Sequence, residues 1–112
     1  MDSWVSLVFI FMYKINFIFA KKGAMKYISH LDLMRLLTRA MRRADLPMKI
    51  TEGFNPHPKL SIKRALKLGV ESENEEGAIA LKERISPQEF MDRLSKQLPE
   101  GIEIKDAKRD ID

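Results

Sequence analysis

The sequence predicts one α+β domain in which two helices lie on one face of an antiparallel β-sheet. Its 112 residues give room for a single core. A hydrophobic content of 45% and a charged content of 32% are those of an ordinary globular protein. Two segments with helical periodicity, each preceded by a serine, are flanked by segments in which apolar and polar residues alternate, and this order of elements carries the fold prediction.

The first strand is predicted at about residues 13–20, where apolar and more polar side chains alternate. The run from residue 4 to residue 20 is apolar enough to resemble a signal peptide or a membrane span. Both interpretations fail, because acidic Asp2 stands where a signal peptide is basic and Lys14 interrupts the run. The run is also shorter than the ~20 apolar residues that a spanning helix needs. We therefore expect no membrane association.

The first helix is the clearest element of the sequence. Ser29 is a suitable N-cap, and Asp32, three residues later, can complete a capping box and interact with the positive end of the helix. The helix is expected to end at about Ala44, before Pro47. Its apolar residues occupy one arc, which predicts a core face made of Leu33, Met34, Leu36, Leu37, Ala40, Met41 and Ala44.

The second half of the chain repeats the pattern of strand, helix and strand. Residues 71–76 are expected to form an acidic, solvated turn, and residues 60–70 are ambiguous. Ser86 caps a second helix, with Pro87 at its first position and Glu89 in the capping box. The predicted order is β–α–β, a long connection and then β–α–β, which matches a ferredoxin-like βαββαβ sandwich. The strands after the first are predicted at about 48–51, at about 78–85, and around Ile102 and Ile104.

Cysteine is absent from the chain. Disulfides, thiolate catalysis and cysteine-ligated zinc or iron–sulfur centres are therefore excluded for this chain, and the composition fits the reducing cytoplasm. No Gly-rich phosphate loop, HExxH motif or Ser/His/Asp arrangement appears. We expect a cytoplasmic protein that has no cofactor of its own and is not an enzyme when it acts alone.

Charge is distributed unevenly along the chain. Residues 1–67 contain 13 lysines and arginines against 4 acidic residues, whereas residues 68–112 contain 7 against 12. Such polarity favours a polyanionic or acidic partner for the basic part. The alternative is that the two halves neutralise each other in the folded protein.

Four arginines of the first helix form a candidate binding surface. They fall within about 100° of arc, opposite the core face, and Asp32 is their only local acidic neighbour. Guanidinium groups pair bidentately with phosphates, so such a face suits a polyanion. The alternative is an ordinary solvated helix face. The four residues are Arg35, Arg39, Arg42 and Arg43.

The segment 53–59, with the sequence GFNPHPK, is the second candidate site. Each of its two prolines fixes its own φ and restricts the residue before it. Asn55 and His57 are thereby held extended, which lowers the entropic cost of presenting their polar side chains, and Lys59 adds a cation. Long connections of this kind are often functional, although a turn that only closes the sheet is the alternative.

The two histidines define a third candidate. His30 opens the first helix and His57 lies in the proline-rich segment, so that together with Asp32 they could form a triad of metal ligands. A histidine at the start of a helix is more often a packing or capping residue. We therefore expect no metal site.

Four stretches of the sequence resemble one bacterial family. They are ISHLDLMR at 28–35, RAMRRA at 39–44, GFNPHPKLS at 53–61 and LGVES at 68–72. These stretches are similar to the bacterial radical-SAM-linked domain of unknown function, which is found fused to, or encoded beside, an unusual radical SAM protein. The similarity runs from about Met12 to the C-terminus. Family members are longer, so the chain resembles their N-terminal half.

The resemblance implies a radical SAM protein as partner. Radical SAM chemistry needs a cysteine-held cluster, so the partner would supply it. The resemblance also marks motif members without assigning roles to them. These are His30, Asp32, Arg35, Asn55, Pro56, His57 and Pro58.

Taken together, these features predict a non-catalytic accessory domain of a radical SAM protein that binds RNA, or an RNA-derived substrate, through the arginine face and the 53–59 segment. One alternative is a docking module whose basic face meets an acidic patch on the radical SAM protein. A less favoured alternative is a metal-dependent enzyme that uses His30, Asp32 and His57.

The domain is expected to occupy residues 12–112. Met12 offers a second translation start just before the first predicted strand, and the preceding residues have no clear period. We therefore expect residues 1–11 to be an N-terminal extension from a misplaced start. We also expect residues 12–112 to be part of a longer native protein.

Overall fold

The computed structural model describes residues 13–64 and 67–110, so the expectation for residues 1–11 lies outside the described part. Four strands of these described residues form one antiparallel sheet in the order β2-β3-β1-β4, which is the order of a ferredoxin-like sandwich, and the predicted fold class is confirmed. The elements in chain order are β1 at Lys14–Lys21, a 3-10 helix at Gly23–Tyr27, α1 at His30–Arg43, β2 at Leu60–Ile62, β3 at Ser72–Ala80, α2 at Pro87–Ser95 and β4 at Ile102–Arg109.

Both helices contribute to a single core against the central strands β1 and β3. The Phe17 ring lies at its centre, 5.9 Å from the Phe19 ring and 5.7 Å from the Phe90 ring of α2. The predicted apolar face of α1 is confirmed: five of its seven residues are buried, and Met34 and Leu36 are partly buried against them. Within the described part of the chain, no helix is both long and apolar enough to cross a membrane.

The predicted N-caps of both helices form. The Ser29 hydroxyl accepts a hydrogen bond from the Asp32 amide at 3.1 Å, and the Ser86 hydroxyl accepts one from the Glu89 amide at 3.1 Å. Each acid then pairs with an arginine further along its own helix, at 3.7 Å for Asp32–Arg35 and 3.1 Å for Glu89–Arg93. The caps therefore begin the helices, and the two carboxylates lie in the favourable first turn.

The prediction of an acidic turn at residues 71–76 is wrong. Most of this segment belongs to β3, where Ser72 lies opposite Lys21 and Glu75 opposite Phe19 of β1. A charged segment can extend the sheet here because neighbouring lysines offset its charge. Lys22 lies 3.1 Å from Glu73, and Lys63 lies 3.3 Å from Glu76.

The prediction of a strand at residues 48–51 is also wrong. Only isolated bridges form there, between Met48 and Leu81 and between Ile50 and Pro58, and the second strand of the sheet is the three-residue β2. Prolines lack an amide hydrogen, so Pro47 and Pro58 limit a regular ladder on both sides of this segment. The segment instead crosses from the end of α1 to the edge of the sheet.

A buried lysine fixes the connection between β2 and β3. Lys21 is only 1% exposed, and its ammonium group donates a hydrogen bond of 2.7 Å to the carbonyl of Lys67. A second, longer contact of 3.5 Å reaches the carbonyl of Lys26 in the 3-10 helix. The 3-10 helix at Gly23–Tyr27 is thus anchored by the last residue of β1.

Candidate functional site

The arginines of α1 lie on its solvent-exposed side, as the sequence predicts. Arg35, Arg39 and Arg43 are four residues apart, so each follows the previous one by about 6 Å along the helix axis and with only a small rotation. They therefore form a row rather than a scattered set. Because the buried face of α1 is held in the core, the row has a fixed direction relative to the rest of the domain.

The turn that follows α2 provides the opposite wall of a groove beside this row. The turn is held by a hydrogen bond of 2.9 Å from the Gln97 amide to the Leu94 carbonyl, and Gly101 continues the chain at a φ of 98° that favours glycine. Lys96 brings a fourth cation to the groove, whose volume is about 620 Å³. We call this the basic groove; it is lined by Asp32, Arg35, Leu36, Arg39, Ala40, Arg43, Lys96, Gln97, Leu98 and Pro99.

One acidic group lines the basic groove. The Asp32 carboxylate lies 3.7 Å from the Arg35 guanidinium. No other carboxylate of residues 13–64 and 67–110 lies within 4 Å of Arg39, Arg43 or Lys96. The acidic second half of the chain pairs elsewhere, with lysines on the sheet; these pairs include Lys14–Asp110, Lys22–Glu73, Lys22–Glu103 and Lys63–Glu76. The mutual charge neutralisation that we considered for the basic and acidic halves of the chain thus takes place on the sheet.

Arg42 does not line the basic groove. It is exposed, and about 100° of helix rotation separate it from Arg43, so it lies at the edge of the arginine arc, beside Arg35 and farthest from Arg43. The four arginines of the predicted face therefore divide into three that line the groove and one that does not. Arg42 provides a matched reference for the groove arginines.

The 53–59 segment forms a hairpin that is closed by two residues. The Thr51 amide donates to the His57 carbonyl at 2.8 Å, and the His57 amide donates to the Thr51 hydroxyl at 3.1 Å. Pro58 forms a bridge with Ile50 just outside this pair. We call residues 51–58 the proline hairpin; it lies beside the short edge strand β2.

Asn55 and His57 are both exposed on the proline hairpin. His57 Nδ1 lies 2.8 Å from the Asn55 carbonyl. Because a carbonyl only accepts, Nδ1 is the donor of this hydrogen bond. The two side chains predicted from the sequence are therefore presented to solvent, but no residue of the hairpin lines the basic groove.

The structure does not assemble His30, Asp32 and His57 into one site. His30 and Asp32 lie in the first turn of α1, whereas His57 closes the proline hairpin. Among the described residues, no three histidine, aspartate or glutamate side chains are grouped so that they could hold a metal ion. Asp32 acts as a partner of Arg35, and Lys59 lies at the root of the hairpin.

Two residues of these surfaces were not predicted from the sequence. Lys96 is one, because its place in the basic groove depends on how α2 packs against α1. Phe54 is the other: it occupies the hairpin between Gly53 and Asn55, and its relative exposure is 110%. An aromatic residue between glycine and asparagine in a proline-rich turn was a visible signal, whereas nothing local in the sequence marks Lys96.

Comparison with known proteins identifies a family. The family model described as "Uncharacterized protein conserved in bacteria (DUF2344)" matches residues 14–110, which is most of the chain. No curated protein and no solved structure is significantly similar to the chain. The matched region includes the whole sheet, both helices, the basic groove and the proline hairpin. The chain therefore belongs to this family of uncharacterised bacterial proteins.

Proposed function

We propose that this domain is an accessory module that binds RNA through the basic groove on behalf of a radical SAM protein. One observation carries the proposal: three arginines and a lysine line one groove, and Asp32 is the acidic residue that accompanies them. Cations clustered in this way attract the phosphate backbone of a nucleic acid without regard to sequence. The resemblance to radical-SAM-linked domains supports the choice of partner.

The spacing of the groove arginines suits a chain of phosphates. Successive arginines of the row lie about 6 Å apart along the axis of α1, so one RNA strand can contact several of their guanidinium groups in turn. Arg39 and Arg43 are the strongest candidates for phosphate contacts, because no carboxylate of the described residues pairs with them. Arg35 is partly neutralised by Asp32 at 3.7 Å and is expected to contribute less.

In this proposal the radical SAM partner carries out the reaction, and this chain binds the RNA. The chain contains no cysteine to hold an iron–sulfur cluster, so catalysis by a radical SAM protein would need the partner's own cluster. A domain with a fixed basic groove could position an RNA substrate for that partner. The radical SAM protein is therefore expected to act on RNA, or on a group carried by RNA.

Filter binding of a ~12-nucleotide RNA across a series of salt concentrations tests this function. If four cations contact phosphates, the logarithm of the association constant should fall with the logarithm of salt with a slope of about −3. The variant R35A/R39A/R43A should bind more weakly, and its slope should be less steep by about 2. The proposal is contradicted if wild-type protein shows no salt-dependent affinity, or if the triple variant binds as well as wild type.

The variant R42A is the matched control for this experiment. It removes an exposed arginine from the same helix and leaves the basic groove intact. Its effect should be smaller than that of R39A, which removes an arginine from the groove wall. Equal losses for R42A and R39A would mean that the net charge of α1 matters and the groove does not.

A second function, docking onto the radical SAM protein itself, is favoured by an apolar patch. Tyr27, Leu68 and Val70 are exposed beside the start of α1, and the Gly69 amide holds their turn against Lys26 through a bond of 2.7 Å. Pull-down of purified radical SAM protein in nuclease-treated buffer tests this function. Docking through the apolar patch predicts loss of the complex in Y27A/L68A, and docking of the basic groove onto an acidic patch predicts loss in R39E/R43E. Capture that both variants leave unchanged would contradict the docking function.

A further inference from the structure

Phe54 is the most exposed of the large apolar side chains in the described residues. Its relative exposure is 110%, compared with 66% for Leu68, which is the next in order. Apolar rings are normally buried, because water contact is unfavourable for them. A ring held completely outside the core therefore needs a separate explanation.

The backbone holds Phe54 outward. Gly53 has a φ of 124°, a conformation that side chains rarely adopt, and it turns the chain immediately before the ring. The Thr51–His57 hydrogen bonds close the hairpin below it, and Pro56 fixes the backbone after it. The ring is thus presented by a constrained loop, which lowers the entropic cost of contact with a ligand.

Cations surround the root of the same hairpin. Lys14, Lys49 and Lys59 line a cleft of about 310 Å³ whose apolar surface comes from Leu60, Ala78 and Ala80. Lys14 lies 3.9 Å from Asp110, whereas no carboxylate of the described part of the chain lies within 4 Å of Lys49 or Lys59. The Lys59 amide donates to the Lys49 carbonyl at 3.0 Å, so the two lysines are held side by side.

We propose that the proline hairpin is a contact site for an unpaired stretch of RNA. Phe54 stacks on a base, and Lys49 and Lys59 neutralise the phosphates beside it. Exposed aromatic rings next to cationic side chains are the means by which proteins hold single strands, because every base has a face that stacks. Asn55 and Nε2 of His57 contact the edge of the stacked base.

This inference rests on the proposed function, because one strand would contact both sites. Lys49 follows Arg43, at the end of the basic groove, by six positions, so their Cα atoms are at most about 22 Å apart. A short single strand can span that distance. The RNA that this domain binds would therefore have unpaired bases, whereas the basic groove alone would accept any phosphate backbone.

The first test compares Phe54 variants on a ~12-nucleotide single strand and on the same strand annealed to its complement. Loss of one stacked base should weaken single-strand binding on the order of tenfold in F54A, with little change for the duplex, whose bases are already stacked. F54W should bind at least as well as wild type. F54L, which is apolar but cannot stack, should resemble F54A, and L68A should resemble wild type.

The lysines are tested in the same way. K49A/K59A should weaken binding of the single strand and reduce its salt slope by about 1.4, whereas K82A, which removes an exposed lysine outside the cleft, should not. Equal effects of K82A and K49A/K59A would overturn the role of the cleft. All of these side chains are at the surface, and circular dichroism verifies that each variant is folded.

The second test separates failure of the hairpin from failure of the basic groove. The fluorescence of F54W should be quenched when RNA is added, in excess of the change in wild type, which contains one tryptophan, Trp4. In the R35A/R39A/R43A background the quenching should persist at higher RNA concentration. If R35A/R39A/R43A loses RNA binding and the fluorescence of F54W does not change when RNA is added, the hairpin proposal alone is overturned.

Two further outcomes would separate the hairpin from the basic groove and RNA from a protein partner. Quenching of F54W with no effect of the groove variant would support the hairpin and overturn the groove. If F54A, F54L and F54W bind RNA like wild type but F54A loses the purified radical SAM protein in pull-down, the hairpin is a protein contact and the RNA proposal is wrong.

Discussion

At the scale of single residues, Gly77 shows how closely the core is packed. It lies opposite Phe17 in the pairing of β1 with β3. A Cβ atom built on Gly77 would lie 2.5 Å from Cζ and 2.8 Å from Cε2 of the Phe17 ring, and Phe17 is only 1% exposed. The ring therefore occupies the volume that any other residue at position 77 would need.

We predict that G77A lowers the free energy of unfolding by about 1–3 kcal/mol, because the new methyl group forces Phe17 to move in a close-packed core. Urea denaturation measures the change. Adding F17L to G77A should recover part of the loss, since a smaller side chain frees the space. The packing argument fails if G77A is as stable as wild type, or if F17L adds its full independent cost.

Individual residues also show where sequence reasoning stops. The alternation of apolar and polar residues in β1 does not predict a partner for Lys21. In the structure Lys21 is buried, and its ammonium group donates a hydrogen bond to the carbonyl of Lys67. That contact joins residues 46 positions apart and has no local signature. Arg35, Arg39 and Arg43, by contrast, were predictable as one row, because helical spacing alone decides which of them share a side.

At the scale of elements, the helices were more predictable than the strands. α1 and α2 begin where Ser29 and Ser86 predict, since a cap depends on residues that are close in sequence. The strands at 48–51 and 78–85 were misplaced. A segment becomes a strand only if it pairs with a neighbouring strand. Met48 forms only an isolated bridge, whereas the acidic residues of β3 pair with β1.

One side chain joins the two helices. Arg93 of α2 donates through Nε to the Ala44 carbonyl at 3.0 Å and through Nη2 to the Asp45 carbonyl, while Nη1 bonds Glu89 at 3.1 Å. Ala44 is the C-cap of α1, and Asp45 follows with a φ of 57°. Arg93 thus satisfies carbonyls at the end of α1 that the helix leaves unpaired.

We predict that R93A lowers the free energy of unfolding by about 1–3 kcal/mol, because carbonyls of partly buried backbone lose a charged donor. Urea denaturation is again the measurement. R93K keeps the charge but loses the planar fork and should be intermediate. R84A removes an exposed arginine and should have little effect. A loss in R84A equal to that in R93A would contradict the capping role.

At the scale of the whole molecule, charge pairs connect the three longest strands. Lys22, just after β1, lies 3.1 Å from Glu73 of β3 and 3.8 Å from Glu103 of β4, and Lys105 lies 3.7 Å from both acids. The hydrogen bond from Lys22 lowers the pKa of Glu73, and attraction to Lys22 and Lys105 adds to this. The bond to Glu73 likewise raises the pKa of Lys22.

These shifts predict a dependence of stability on pH. A carboxylate whose pKa is lowered by folding stabilises the protein above its ordinary pKa of 4.5, and this stabilisation disappears as the pH falls through its folded value. When the pH is lowered from above 4.5 to below 4.5, the free energy of unfolding should therefore fall less in E73Q than in wild type. E100Q, at an exposed position outside this network, is the control. The same acid sensitivity in E73Q and wild type would contradict the assignment.

The candidate site was predictable only in its parts. The sequence indicated a basic helix face and a stiff hairpin, because both follow from local spacing and from proline. It did not indicate that Lys96 completes a groove or that Arg42 lies outside it, because both depend on how α2 packs beside α1. For the same reason, the sequence did not indicate that the arginines and the hairpin residues form two separate surfaces.

The position of β1 in the sheet has a consequence for biosynthesis. β1 leaves the ribosome before the other strands, yet its two neighbours are β3 and β4, and Ile15 pairs with Arg109 across 94 positions. Until β4 has been synthesised, the nascent chain leaves one edge of its central strand without a neighbour. A topology dominated by such distant pairs folds slowly, so the sheet is expected to be completed only after β4 has left the ribosome.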